Sequence, residues 1–343
     1  MEFGIQFFPD LGPGEQSGAD YWAEALHLVG LCNEFGHTSV RTVEHYFHPY
    51  GGYSPNPIVF LSAAAMLTKK ARLITGAVLP TFNNPLKLAG EIGMLDAISG
   101  GRSEVGFGRA FLPHEFARFK VSLDESSARF EEGVEQVRLL LEKENVTAEG
   151  KFRSFADVTS LPRPTQQPRP PFWIAAGGSP ESFARAGRTG YGIMAIPMAG
   201  GQMAELTGIY RENWQSAGHP GRGLVMMAFH MLCHPDSAEA ANLARGPLNR
   251  YLKTRTNRVN SADYPGYDKI VAALGQETFE SQVAKGAAWV GSPADIIEQV
   301  RECDRLIGGF EIASLQVNFN TVSLQDAEVS MRLFANEVVP NLS

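Results

Sequence analysis

Only three cysteines, Cys32, Cys233 and Cys303, are scattered through 343 residues, odd in number and in no C-x-x-C spacing. That pattern rules out a cysteine zinc cluster and suits a reducing compartment, with the thiols as small core residues. No apolar run is long enough to span a bilayer, and the opening Met1-Glu2-Phe3-Gly4-Ile5 enters a strand without a basic stretch, so a cytoplasmic protein with no membrane attachment is expected. Positive charge is also short: 30 Lys and Arg face 37 Asp and Glu, a net charge of -7 with no basic block, which argues against nucleic acid and anionic membranes as partners. There is no G-x-S-x-G elbow, no P-loop and no G-x-G-x-x-G, so acyl transfer, phosphoryl transfer and ordinary dinucleotide binding lack their sequence devices.

What the chain has is alternation. Apolar runs at Glu2 to Phe8, Thr38 to Val43, Ala71 to Leu79, Arg102 to Phe107, Pro171 to Ala176, Tyr191 to Ile196, Leu224 to Cys233 and Gly309 to Val317 read as eight strands buried on both faces. Helical spacings separate them, several opened by Pro and closed by Gly. A helix from Asp20, as its cap, to about Phe35 is one of these. Eight such units predict an α/β fold, a (β/α)₈ TIM barrel in one domain over 1–343, with irregular insertions near 146–171 and 253–288.

The second strand ends in Glu44-His45-Tyr46-Phe47 and runs into a long loop rich in aromatics, Gly and Pro. In such barrels ligands bind at the carboxyl ends of strands, so His45 is the first candidate for chemistry. A strand-end histidine also fits a hydrogen-bonded core residue, and His45 with His48 and Glu44 resembles a metal set. Metal is disfavoured because the other strand ends offer Phe8, Leu79, Phe107, Ile196 and Asn318. An anion site is suggested twice. Gly106-Phe107-Gly108-Arg109 leaves a strand through two glycines toward a guanidinium, and Gly177-Gly178-Ser179-Pro180-Glu181-Ser182 turns into a helix N-terminus. A solvated arginine and an ordinary capped helix are the bland alternatives. Val290-Gly291-Ser292-Pro293 reads as a cap alone. The 21 Phe and 10 Met include candidates for an apolar pocket wall, namely Phe8, Phe107, Met198 and Phe229.

Taken in order and spacing, Glu2-Phe3-Gly4, Val43 to Phe47, Leu79-Pro80, Leu95-Asp96 to Arg102, Gly106 to Arg109, Ser179 to Ser182, Val290 to Pro293 and Met331 to Pro340 resemble the bacterial luciferase-like flavin-dependent monooxygenases over almost the whole chain. The resemblance implies reduced FMN as a diffusible cofactor, supplied by a separate flavin reductase, and O₂ as co-substrate by way of a flavin 4a-hydroperoxide. It assigns oxygenation chemistry to His45, with Glu44 beside it. The phosphate would fall to Arg109 and Gly108 with Gly177, Gly178, Ser179 and Ser182, and a non-proline cis peptide near Thr75, Gly76 and Ala77 would carry the ring. It further implies a homodimer through helices Pro57 to Lys69 and Pro85 to Ser99, and a small or carrier-tethered secondary-metabolite intermediate as substrate. Two departures stand out: Gly108 replaces a reactive cysteine and Tyr46 replaces a second histidine, so light emission is not implied. Alternatives on the same barrel are a deazaflavin-dependent hydride transferase and a non-catalytic flavin-binding subunit.

Overall fold

The computed structural model describes residues 1–198, 201–256 and 275–342. Eleven strands lie among them: β1 (Glu2–Phe7), β2 (Ser39–Thr42), β3 (Arg72–Val78), β4 (Ser103–Phe107), β5 (Val146–Glu149), β6 (Ser154–Val158), β7 (Phe172–Ala175), β8 (Gly192–Ala195), β9 (Val225–Cys233), β10 (Ala288–Gly291) and β11 (Ile312–Gln316). Eight of them run parallel in the order β9-β11-β1-β2-β3-β4-β7-β8, and β8 pairs back onto β9, which closes the barrel. All eight expected strands are therefore present, and the fold is the expected (β/α)₈ barrel.

Local chemistry explains the element boundaries. Asn56 and Asn84 each accept a hydrogen bond from the residue two positions on, ahead of helices Pro57–Leu67 and Pro85–Ser99. Gly36, Gly100, Gly190 and Gly308 end helices in the left-handed conformation, where a Cβ would crowd the backbone. One expected cap shifts. Ser17, not Asp20, is the N-cap of helix Gly18–Gly30, because its hydroxyl accepts from the Asp20 N–H at 3.1 Å.

Of the two insertions, the first also reads from the sequence as a small hairpin, and the structure has one there, the antiparallel pair β5–β6. Of the second, 257–274 lie outside the described residues, while the rest holds the end of helix Ser237–Thr256, a helix at Phe279–Ala284 and β10. β10 pairs with the last residues of β9, beyond the point where β8 has stopped. A four-residue run of Ala, Trp, Val and Gly ahead of a capped helix carries too short a period to declare itself as a strand.

Inside the barrel, side-chain parity sets three levels. At the amino end, Glu104 ties Arg72 to the Trp173 indole N–H. Above lies an apolar plug of Ile74, Trp173, Met194, Met226 and Ile312. Above the plug the inward residues Gly76, Ala175 and Ala228 are small and only half-buried, and the barrel opens toward its carboxyl end.

Candidate active site

β2 delivers His45 just past its carboxyl end, where the backbone N–H of His45 donates to the Ser54 carbonyl at 3.1 Å. The long loop folds back over it so tightly that a Cβ on Gly51 would stand 2.7 Å from the His45 side chain, and Gly51 has φ +80°. The imidazole is buried against Phe8, Tyr50 and Phe111, with ring centroids 5.6, 5.6 and 5.9 Å away. Its Nδ1 lies 3.1 Å from Oε1 of Glu115, a fully buried carboxylate on helix Pro113–Phe119. The same oxygen accepts from the Tyr46 N–H at 2.9 Å. A carboxylate at Nδ1 holds the proton on that nitrogen and leaves Nε2, which has no hydrogen-bond partner among the described residues, facing the cup.

Glu44 turns the other way. It accepts from the Leu79 N–H at 3.0 Å and from Asn83 Nδ2 at 2.8 Å, and the Tyr46 hydroxyl donates to it as well. Burial pushes its carboxyl up to about 7, against those hydrogen bonds. These bonds tie Glu44 to the turn after β3 and to Tyr46, beside the cis peptide.

β3 carries a non-proline cis peptide between Gly76 and Ala77, where its register with β4 shifts. Thr75 is fully buried, and its hydroxyl donates to the Gly106 carbonyl and accepts from the Gly106 N–H, so it braces β3 against β4. After β4, Gly108 abuts Ala77 and Leu79, and the Arg109 carbonyl accepts from Thr81. The Arg109 guanidinium has no partner among the described residues and is exposed. β7 neighbours β4, so the Gly177-Gly178-Ser179 turn into helix Pro180–Thr189 leaves from the adjacent strand end. Gly178 has φ +111°, Met198 lies against its Cα, and the hydroxyls of Ser179 and Ser182 make no hydrogen bond among the described residues. A free guanidinium, two free hydroxyls and a helix N-terminus on neighbouring strand ends fit a phosphate. His45 is two strands from Arg109, about 10 Å at ordinary interstrand spacing, with the cis peptide between them.

Two of the four expected wall residues belong elsewhere. Gly106 faces inward, since a Cβ there would meet Met194 of the plug, so Phe107 faces outward, where its ring packs edge-on against Phe172 in the helix layer. Phe229 likewise alternates with the inward Met226 and stacks on Trp289 at 3.9 Å. Phe8 does line the cup beside His45, and Met198 covers the Gly178 turn. The rings around His45 that sequence reasoning missed are Tyr50 and Phe111. The larger omission is Glu115, which stands 70 residues from His45. The Pro113 that opens its helix was a signal for the helix, yet nothing local points its carboxylate at an imidazole. Among the described residues no three His, Cys, Asp or Glu side chains converge as a metal site needs.

Comparison with known proteins agrees with this geometry. Residues 1–308 match the luciferase-like monooxygenase family. The chain is 27% identical to the oxygenase component of the flavin-dependent trigonelline monooxygenase of Acinetobacter baylyi, over 100% of this chain and 96% of that one. Among solved structures, monooxygenase RslO1 from Streptomyces bottropensis shares 40% identity with a TM-score of 0.91, covering 100% of both chains. The oxygenating constituent of 3,6-diketocamphane monooxygenase from Pseudomonas putida, a Type II Baeyer-Villiger enzyme solved with FMN, shares the fold at a TM-score of 0.84 and 23% identity, covering 100% of this chain and 99% of that one. A barrel that sets a carboxylate-held histidine one strand from a cis peptide, matched along residues 1–308, places the chain in the luciferase-like monooxygenase family.

Proposed function

We propose that the chain is the oxygenase component of a two-component flavin-dependent monooxygenase, which takes reduced FMN from a separate reductase and oxidises a small organic molecule with O₂. The observation that carries this reading is the His45 imidazole, whose Nδ1 is held by Glu115 while Nε2 is left free in an aromatic enclosure. When bound, reduced FMN supplies the electrons that activate oxygen. The chain supplies the rest. Arg109 and the Ser179 helix start would hold the phosphate, and the Gly76–Ala77 peptide would support the ring. His45 Nε2 moves a proton to or from the reacting oxygen or the substrate, while Phe8, Tyr50 and Phe111 keep bulk water away.

The need for a reductase follows from the lack of any G-x-G-x-x-G in the sequence. Three buried, unpaired thiols favour a cytosolic setting. A homodimer is supported by the apolar outer faces of helices Pro57–Leu67 and Pro85–Ser99, where Val59 and Met66 are 69% and 77% exposed and Met94 and Ile98 lie on the second helix. The deciding experiment mixes the protein with photoreduced FMN and O₂, then adds a reductase and a metabolite panel read by mass spectrometry. FMN-dependent oxygen uptake and a product one oxygen heavier support the reading. Binding of a deazaflavin, with hydride transfer and no oxygen uptake, would replace it.

A further inference from the structure

The inner wall of the barrel is not evenly polar. Parallel pairing places Arg41 of β2 beside Gln6 of β1, Gln6 beside Gln316 of β11, and Gln316 beside His230 of β9. Paired residues in a sheet share a face, so these four side chains form one continuous arc at one level, just above the apolar plug. Three half-buried small residues, Gly76, Ala175 and Ala228, keep the space at that level open.

Arg41 is the unusual member. It is only 8% exposed. Its guanidinium donates to Gln6 Oε1 and reaches Met194 Sδ at 3.7 Å, Nε has no partner, and no carboxylate among the described residues pairs with it. Gly76 makes way for this side chain, since a Cβ there would lie 2.3 Å from Arg41 Cδ. A buried guanidinium without a counter-ion costs stability, and a fold retains one where a ligand brings the missing charge. Neither glutamine can supply it.

We propose that this arc seats the anionic oxygen of the substrate, a carboxylate, phenolate or enolate, with Arg41 as its counter-ion and Gln6 as its orienting neighbour. The arc begins beside the cis peptide, where Arg41 packs on Gly76 of the neighbouring β3, and runs away from it along β1, β11 and β9, while Arg109 and Ser179 lie on the other side at the ends of β4 and β7. Its members on β1, β11 and β9 therefore belong to the substrate side, and His45 follows Arg41 by four residues, just past the end of β2. The inference rests on the monooxygenase reading for its use, while its test needs no turnover.

The test measures equilibrium binding of benzoate and of uncharged, isosteric benzamide to the flavin-free protein, followed by fluorescence of Trp173 in the plug below. Wild type should prefer benzoate by about ten- to a hundredfold, the worth of one charge-assisted contact. Arg41→Gln should bring that ratio close to one without lowering the melting temperature, because no ion pair among the described residues is lost. Arg41→Lys, which keeps the charge and loses the fork, should retain part of the preference. Equal affinities for the two probes in wild type, or a preference that survives Arg41→Gln, would overturn the assignment. So would a loss of affinity in Arg41→Gln confined to reduced FMN, which would give the guanidinium to the flavin. Failure of oxygen uptake in wild type, with the benzoate preference intact, would instead remove the monooxygenase reading and leave the anion site standing.

Discussion

His45 is useful to an oxygenase only if one ring nitrogen is committed and the other is free, and Glu115 sets that division. Replacing His45 by Ala should leave FMN binding intact and lower product formation by about 10²–10⁴, with the oxygen consumed appearing as hydrogen peroxide. Unchanged product yield would remove His45 from the chemistry. Glu115→Gln keeps the shape and gives up the charge that holds Nδ1–H. Turnover should fall by about 10–100-fold while the dissociation constant for reduced FMN stays put; a change in flavin affinity instead would show that Glu115 serves only to build the pocket. A second histidine acts on stability. Burial lowers the pKa of His37 to about 4, and neither ring nitrogen has a hydrogen-bond partner among the described residues, although the Phe3 carbonyl nearby pulls weakly the other way. The unfolded chain takes up this proton near 6.5 and the folded chain does not until about 4. The contribution is therefore full above pH 6.5 and is lost as pH falls toward 4, about 3 kcal/mol in all. Urea denaturation at pH 7 and at pH 4.5 should show a smaller drop for His37→Phe than for the wild type.

At the scale of elements, the site is made by adjacent strand ends, each of which offers one device. β3 offers the cis peptide, β4 the Gly108-Arg109 turn and β7 the glycine turn into helix Pro180–Thr189. Arg109→Ala removes a charge-assisted contact and should weaken reduced FMN by about ten- to a hundredfold in an anaerobic titration. Riboflavin, which has no phosphate, should bind both forms equally. If the variant binds FMN as wild type does, the phosphate lies elsewhere. Much of this arrangement was legible locally. The caps at Asn56, Asn84 and Ser292 and the left-handed glycines at 36, 100 and 308 stand where their residue types predict them. Helix Pro113–Phe119 and β10 were missed, because segments of four to seven residues hold barely two periods of either pattern.

On the scale of the whole molecule, helices Pro57–Leu67 and Pro85–Ser99 are apolar on their outer as well as their inner faces. Helices of that kind are covered on both sides. Sedimentation should find a dimer for the wild type, and Val59→Arg with Met66→Arg should shift it to monomer. A wild-type monomer at micromolar concentration would sink the dimer.

The eight barrel strands, most of the helix caps and the two glycine turns follow from the sequence alone, because each depends on residues within one turn of helix or one strand. Whether Phe107 and Phe229 face the cup or the helix layer depends on parity within a closed barrel, and that barrel pairs Glu2 of β1 with Ile312 of β11, from opposite ends of the chain. The same holds for Glu115 against His45 and for the row from Arg41 to His230. Tertiary structure alone decided these, since only the register of eight strands brings side chains distant in the chain to one level of one cavity.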